Sequence, residues 1–69
     1  MTTFYQVEKD HKKIGLKIKT YINACAALAA GDNDGRRLAR YNGEVLLNTV
    51  DHDTATTVID IDRRYKDGQ

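Results

Sequence analysis

The dipeptide Asn42-Gly43 constrains the fold of this chain more than any other feature. It lies between residues 36–41 and 44–50, two runs whose side chains are compatible with β-strands. Asn-Gly is a preferred centre of a two-residue hairpin turn, because both central residues need a positive φ. The sequence therefore predicts a β-hairpin here, and with it an antiparallel sheet.

A second hairpin is predicted at the N-terminal end. Residues 3–8 are rich in strand-forming side chains, and over residues 14–20 isoleucine and leucine alternate with glycine and lysine. The apolar positions of that alternation are Ile14, Leu16 and Ile18. A period of two is typical of a strand with one buried face. The polar residues 9–13 have the length of a hairpin loop, so we expect the two strands to pair.

Residues 21–30 favour a helix, because they are dominated by alanine and leucine. We expect Thr20 or Asn23 to supply the N-cap oxygen and Gly31 to form a left-handed C-cap. A helix of two to three turns is too short to be stable alone, so it must pack on the sheet. Its predicted apolar stripe comprises Tyr21, Ile22, Cys25, Leu28 and Ala29.

The C-terminal residues 54–65 fit two structures. Six of the eight residues at 54–61 are β-branched, and Ile59 and Ile61 alternate with aspartates, which favours a strand. We expect that strand. The alternative is a helix with one apolar face and a cap at each end. The face would comprise Ala55, Val58, Ile59 and Asp62, and the N-cap and C-cap would be Asp53 and Gly68.

Together these elements predict a single small globular α+β domain over residues 1–69. The element order is ββαβββ, which gives a small antiparallel sheet of four to five strands with one short helix packed on one face. The chain has only 15 side chains of isoleucine, leucine, valine or phenylalanine. Its core is therefore small, and its stability is expected to be marginal.

The composition excludes several classes of protein. A single cysteine cannot form an intramolecular disulfide, so the chain is not a disulfide-stapled secreted miniprotein. It contains no serine, which excludes hydrolases with a serine nucleophile. No apolar run approaches the roughly 18 residues of a membrane span, and no secretory signal is visible. We therefore expect a cytoplasmic protein without membrane contact.

No residue pattern in the chain predicts catalysis, a metal site or a cofactor. Cys25 lies between alanines on the predicted apolar stripe, so we interpret it as a small buried hydrophobic residue. Asp51-His52-Asp53 resembles a metal-binding triplet, but a zinc site needs four ligands at short fixed spacing. We interpret the triplet as a polar turn. Without a convergent acid, base or nucleophile, the chain is not expected to be an enzyme.

The net charge of +1 conceals alternating blocks of charge along the chain. Residues 1–20 and 36–50 are basic, whereas residues 21–35 and 51–69 are acidic. These blocks predict two candidate binding surfaces. The basic surface comprises Lys12, Lys13, Lys17, Lys19, Arg36, Arg37 and Arg40. The alternative, acidic surface comprises Asp51, Asp53, Asp60 and Asp62.

A solvated sheet face is the competing interpretation of these charges. In it, Lys17 and Lys19 pair across strands with Asp60 and Asp62. Under the functional interpretation, three tyrosines beside the basic residues offer stacking platforms for a nucleic acid. They are Tyr5, Tyr21 and Tyr41. Because nucleic-acid-binding domains usually carry a much larger positive charge, we favour a protein partner.

The expected function is a non-enzymatic binder or inhibitor of a partner or host macromolecule, acting through a charged surface. The order of elements loosely looks like that of some anti-CRISPR proteins, small inhibitors encoded by phages and mobile elements, although no residue motif carries the likeness. One alternative is a nucleic-acid-binding module that uses residues 14–20 with Arg36, Arg37 and Arg40. Another is a self-associating structural subunit, in which an unpaired edge strand pairs with a second copy.

Overall fold

The computed structural model describes residues 3–67 and shows a four-stranded antiparallel sheet with two helices. In chain order the elements are β1 (Thr3–Lys9), β2 (Lys12–Lys13), α1 (Tyr21–Ala30), β3 (Arg37–Asn42), β4 (Val45–Asp51) and α2 (His52–Asp67). The strands lie in the order β2-β1-β3-β4, and every neighbouring pair is antiparallel. The predicted α+β class with a small antiparallel sheet is confirmed.

The first hairpin turns at Asp10 and His11, which link Lys9 to its paired residue Lys12. Both turn residues have a positive φ, 52° and 64° respectively. Two successive positive φ angles are the signature of a type I′ turn. A residue with a Cβ is sterically disfavoured in this left-handed region, and aspartate and histidine tolerate it better than most. Histidine still has a Cβ, so the backbone of His11 is more strained in this conformation than that of a glycine would be.

Replacing His11 with glycine should stabilise the protein. Glycine adopts the left-handed region without a Cβ clash, and Asp-Gly is a preferred pair for a type I′ turn. We expect His11→Gly to raise the free energy of unfolding by about 0.5–1 kcal/mol, measured by urea denaturation. Lys12→Gly, in the adjacent strand, is the control and should lower it. If His11→Gly and Lys12→Gly changed the free energy of unfolding equally, the backbone of His11 would not be strained.

The predicted strand over residues 14–20 is wrong. Beyond β2, two successive amides donate to the Val7 carbonyl oxygen at 3.0 and 3.3 Å, and the chain pairs again with β1 only at the isolated bridge between Tyr5 and Ile18. That bridge is two residues out of register with β2. The additional residues bulge from the edge, which leaves Leu16 86% exposed although it continues the apolar alternation.

The second hairpin is confirmed, but its turn lies one residue later than predicted. Asn42 pairs with Val45, so the two turn residues are Gly43 and Glu44. Gly43 has a φ of 62°, whereas Glu44 is not among the residues with positive φ. This is the pattern of a type II′ turn, in which only the first central residue needs the left-handed region.

α1 spans the predicted residues, but its ends differ from the prediction. Thr20 occupies the N-cap position without a side-chain hydrogen bond, and Gly31 has extended backbone angles rather than a left-handed conformation. The Gly31 amide donates to the Leu28 carbonyl at 3.2 Å, which closes the last turn. Of the predicted stripe, Cys25 and Leu28 are buried, whereas Tyr21 and Ile22 lie at its exposed rim.

The predicted fifth strand is wrong, because the C-terminal segment forms a second helix, α2. The element order is therefore ββαββα instead of ββαβββ, and the domain has two helices instead of one. The face named in the alternative interpretation is the one that packs inward. Ala55 is buried, Val58 and Ile59 pack against the core, and Asp62 is half-buried. The C-cap predicted at Gly68 lies outside the described residues.

α1 explains why the C-terminal segment is helical. α1 carries no charged residue, so it has more apolar surface than one sheet can cover. α2 packs along its other side, and His52 Nε2 lies 3.0 Å from the Gly31 carbonyl oxygen, where the two helices meet. The hydroxyls of Thr56 and Thr57 donate to carbonyl oxygens four residues earlier, at 2.9 and 3.0 Å. Burial against α1 thus outweighs the β propensity of these residues.

The core lies between the two helices and one face of the sheet. Its buried members are Val7, Ala24, Cys25, Leu28, Leu38 and Ala55. Because side chains alternate along a strand, the neighbours of Val7 and Leu38 point to the opposite face. Phe4, Gln6, Ala39 and Tyr41 therefore lie on a face that neither α1 nor α2 covers. We call this surface the helix-free face.

Candidate binding surface

Two lysines lie over two stacked aromatic rings on the helix-free face. Phe4 and Tyr41 are cross-strand partners, and their ring centroids are 5.4 Å apart with an interplanar angle of 25°. Lys17 Nζ lies 4.7 Å from the centre of the Phe4 ring, and Lys13 Nζ lies 4.7 Å from the centre of the Tyr41 ring. These four residues form what we call the cation–aromatic cluster.

The irregular edge of the sheet positions these lysines. Lys13 belongs to β2 and pairs with Glu8, so its side chain starts on the helix-free face. Lys17 belongs to the bulged segment, which is anchored by a hydrogen bond of 2.7 Å from Gln6 Nε2 to the Gly15 carbonyl oxygen. The segment that bulges from β1 is the one that carries Lys17, and from there Lys17 lies over the Phe4 ring.

Tyr41 is fixed by a second contact. Its hydroxyl donates a hydrogen bond to the Glu8 carboxylate. This bond, together with burial and the negative charge of Glu8, raises the pKa of the Tyr41 hydroxyl above its ordinary value. Because the folded pKa is raised, the contribution of this contact is complete below about pH 10 and is lost as pH rises through the folded pKa. The cluster is therefore fully formed at neutral pH.

A shallow groove of about 320 Å³ continues the helix-free face beside the cluster. Glu8, Arg37 and Thr49 line it from three adjacent strands, and His11 lines it from the first turn. Leu46, an exposed residue of β4, is also at its wall. The helix-free face thus combines charged groups of both signs with aromatic and aliphatic groups.

The other residues of the predicted basic surface are dispersed. Asp34 is shared by two of the chain's cations: its carboxylate oxygens lie 3.0 Å from Lys9 Nζ and 3.0 Å from Arg36 Nε. The hydrogen bond from Lys9 and the charge of Arg36 lower the pKa of Asp34. Arg40 points to the helix side, with its guanidinium 5.9 Å from the Tyr5 ring centre. Lys12 and Lys19 are exposed.

The helix-free face therefore brings together Lys13, Lys17 and Arg37, and separates them from Arg36 and Arg40. The predicted cross-strand pairs of Lys17 and Lys19 with Asp60 and Asp62 are wrong, because both aspartates lie on α2. α2 packs on the opposite side of the sheet. Lys17 instead contacts the ring of Phe4.

The predicted acidic residues lie around α2, each in a different setting. Asp51 Oδ1 accepts a hydrogen bond of 2.8 Å from the Thr54 amide and so caps the helix, the role predicted for Asp53. Asp62 forms an ion pair with Lys66 at 3.2 Å. Asp53 contacts the side chain of Asn33 at 3.4 Å, and Asp60 lines the outer groove between α1 and α2 beside Arg63.

Acid should weaken the start of α2 through Asp51. Hydrogen bonds from Thr54, together with the charges of Arg37 and His52, hold the pKa of the Asp51 carboxyl below its ordinary value. A carboxylate with a depressed folded pKa stabilises the protein above its unfolded pKa of about 4, and the contribution is lost as pH falls through the folded pKa.

We expect Asp51→Asn to remove this pH dependence, because asparagine still caps a helix but does not titrate. Urea denaturation midpoints measured from neutral to strongly acidic pH should therefore fall less in the variant than in the wild type. Asp32→Asn, in the loop after α1, is the matched control and should retain the wild-type slope. Identical slopes in all three proteins would contradict the assignment.

Cys25 is buried in the core, as predicted. Burial raises the pKa of its thiol, and the hydrogen bond with Tyr21 opposes this only in part. Burial is also the main reason that the pKa of Tyr21 is raised. A reactive cysteine needs a lowered pKa and exposure, so the environment of Cys25 is that of a packing residue.

Phe4 is the member of the cluster that sequence reasoning missed. Tyr5, the residue of β1 predicted to offer a stacking platform, lies instead on the helix side, where its ring is 5.6 Å from that of Tyr21. The buried face of β1 is set by Tyr5 and Val7, so strict alternation already placed Phe4 on the opposite face. Its pairing with Tyr41 required the register of β1 against β3.

Neither α1 nor α2, the helices of the described part of the chain, combines the length and apolar character needed to cross a membrane. No protein-family model matches the sequence, and no match was found among curated proteins or solved structures. The geometry of the helix-free face is therefore what supports a functional proposal.

Proposed function

We propose that this chain is a non-enzymatic binding protein that docks its helix-free face onto an acidic patch of a partner protein and so blocks the partner's surface. The observation that carries the proposal is the cation–aromatic cluster. Two ammonium groups stand over adjacent rings on a face that no helix covers. An acidic partner would place its carboxylates against Lys13 and Lys17.

The aromatic rings support this role because they restrain the lysines before binding. A lysine side chain loses conformational entropy when it is ordered in an interface. The contacts of Lys13 and Lys17 with their rings limit that freedom in the unbound protein. Glu8 is the cross-strand neighbour of Lys13, and its carboxylate already accepts a hydrogen bond from Tyr41. Among residues 3–67 neither Lys13 nor Lys17 forms an ion pair, so both charges are available to an acidic partner.

The remaining observations support a surface-blocking role rather than catalysis. The raised pKa of Cys25 disfavours the thiolate that a nucleophile needs, and His52 is engaged with a backbone carbonyl of the α1 end. The free thiol of Cys25 is compatible with the reducing cytoplasm, where we place the protein. Small inhibitors encoded by phages or mobile elements, such as anti-CRISPR proteins, would act in this way.

A nucleic acid is the second candidate partner, and the same lysines favour it because they could contact phosphates. The rings argue against it. Sheet-based single-strand binders stack bases on exposed aromatic faces, whereas Phe4 is only 8% exposed and lies beneath Lys17. Aromatic residues and arginine, both of which lie on the helix-free face, are enriched at protein interfaces.

Affinity capture with matched charge variants tests the proposal. We expect the variant Lys13→Glu/Lys17→Glu to lose about tenfold or more in affinity for its captured protein partner, because both cluster charges are reversed. The control Lys12→Glu/Lys19→Glu makes the same change of net charge outside the cluster and should retain binding. Capture should survive nuclease treatment.

Three outcomes would contradict this proposal. Equal loss of binding in the two double variants would show that only net charge matters. Loss of all captured protein after nuclease treatment, with a salt-sensitive mobility shift of a labelled oligonucleotide, would favour the nucleic-acid candidate. Retention of binding by Lys13→Glu/Lys17→Glu would exclude the cation–aromatic cluster as the binding surface. Circular dichroism of each variant verifies that it is folded.

A further inference from the structure

The sheet has two unlike outer edges. One is β2, which has two residues, Lys12 and Lys13, and continues into an irregular segment. A short edge that carries lysines is one way in which natural proteins prevent pairing with another chain. The other edge is β4, which has seven residues and no charged side chain from Val45 to Val50. β4 has neither the short length nor the lysines that protect the β2 edge.

Aliphatic side chains are exposed next to one another on β4. Val45, Leu46 and Leu47 are 63%, 51% and 49% exposed, respectively. Leu47 is the extra residue of a β-bulge, because the register with β3 shifts between Arg40 and Tyr41. Contiguous exposed aliphatic residues on an unpaired edge are typical of an interaction surface.

A second pair of exposed apolar residues lies on the same side of the molecule. α2 contacts α1 on one side and follows directly from β4. Ile59 and Arg63 line the groove toward α1. With 3.6 residues per turn, Ile61 and Tyr65 point away from α1, and both are largely exposed. They therefore extend the apolar surface of the β4 edge into the helical layer.

We propose that this side of the molecule is a homodimer interface, in which β4 pairs antiparallel with β4 of a second copy across a two-fold axis perpendicular to the sheet. The dimer has one continuous eight-stranded sheet, and its two α2 helices are neighbours across the axis. Each copy contributes the same patch, so the interface is closed. The outer edges that remain are the two β2 edges with their lysines, which ends the assembly at two copies.

The charges around β4 fit a second copy rather than a foreign strand. Its uncharged stretch has no group that would select an acidic or a basic partner strand, and an identical stretch adds no like-charge contact. The flanking acids Glu44 and Asp51 restrict the register. A register that keeps the acids of the two copies from facing each other is the favoured one.

The dimer does not depend on the proposed function, but it would change how that function works. A two-fold axis perpendicular to the sheet places both helix-free faces on the same side of the dimer. Two cation–aromatic clusters would then be presented to one partner surface, which raises the apparent affinity through bivalent contact. Variants of the lysine cluster should leave the dimer intact, so the two proposals fail separately.

Sedimentation velocity of the full chain from low micromolar to near-millimolar concentration tests the dimer. We expect the mass to rise with concentration from 7.8 kDa to twice that value. Leu47→Lys and Tyr65→Lys should each raise the dissociation constant about tenfold or more, because each places a charge in an apolar interface. Leu16→Lys adds the same charge at an exposed leucine outside the interface and should have no effect.

Hydrogen exchange distinguishes edge pairing from other modes of association. Amides of β4 that point outward should become protected as the concentration rises, whereas the exchange of the β2 amides should not change. If Leu47→Lys fails to fold, the dissociation constant of Tyr65→Lys tests the proposal alone, because an exposed position on a helix tolerates lysine. A mass that stays at 7.8 kDa over the whole range, or a dimer that Tyr65→Lys leaves intact, would overturn the proposal.

Discussion

Leu28→Ala is expected to unfold a large fraction of the protein. Leu28 is one of the largest fully buried side chains, and it lies in α1 where this helix meets the sheet and α2. Removing a buried leucine side chain costs about 2–5 kcal/mol, because hydrophobic burial is lost and a cavity remains. Domains are stable by only about 5–15 kcal/mol, and one of this size lies near the lower limit.

Thermal and urea denaturation, followed by far-ultraviolet circular dichroism, measure this effect. Leu16→Ala makes the same deletion at a leucine that is 86% exposed, and it should change the free energy of unfolding by less than about 0.5 kcal/mol. A similar loss in both variants would mean that the core is not where the two helices and the sheet meet. The contrast between the two leucines therefore tests the packing as well as its magnitude.

The sequence predicts the elements whose structure depends on residues close by in the chain. The Asn42-Gly43 dipeptide marked the second hairpin, and alanine and leucine marked α1, because turn geometry and helix propensity are local properties. The segment around Leu16 was predicted less well. Its alternation is that of a strand, but the two additional residues that break the register with β1 have no local signature.

The C-terminal segment shows how tertiary packing overrides propensity. Its β-branched residues favour a strand in isolation, whereas its apolar face at Ala55, Val58 and Ile59 has helical spacing. Packing against the uncharged α1 favours the helix over the strand, because the sheet covers one side of α1 and α2 covers another. The absence of charged residues from α1 is visible in the sequence, but which element covers its second side is a property of the tertiary fold.

The cation–aromatic cluster depends on topology, which explains why the sequence predicts Lys13, Lys17 and Tyr41 as surface residues but not Phe4 or the contacts among the four. Phe4 and Tyr41 are far apart in the sequence and meet because β1 lies between β2 and β3 in the sheet. Position in the sequence groups Arg40 with the other basic residues, although its side chain points to the helix side. Charge composition alone does not specify the face on which a residue lies.

Thr57→Pro should be the second most destabilising of the changes considered for this protein. Thr57 is exposed in the interior of α2. Proline there removes a helical hydrogen bond and clashes with the preceding turn, at a cost of about 3 kcal/mol. We expect a decrease in helical circular dichroism and in the denaturation midpoint. Because the side chain is exposed, lost packing cannot account for the effect.

Thr57→Ala gives the opposite sign and so distinguishes a helix from a strand. Alanine has the higher helix propensity, and the Thr57 hydroxyl now donates to the Asp53 carbonyl, a contact that slightly disfavours helices. We expect the free energy of unfolding to rise by up to about 0.7 kcal/mol. In a strand the same change would lower it, because threonine is the better strand former. Thr49→Ala, at an exposed position of β4, should show that decrease. If Thr57→Ala and Thr49→Ala destabilise the protein equally, residues 52–67 do not form a helix in solution.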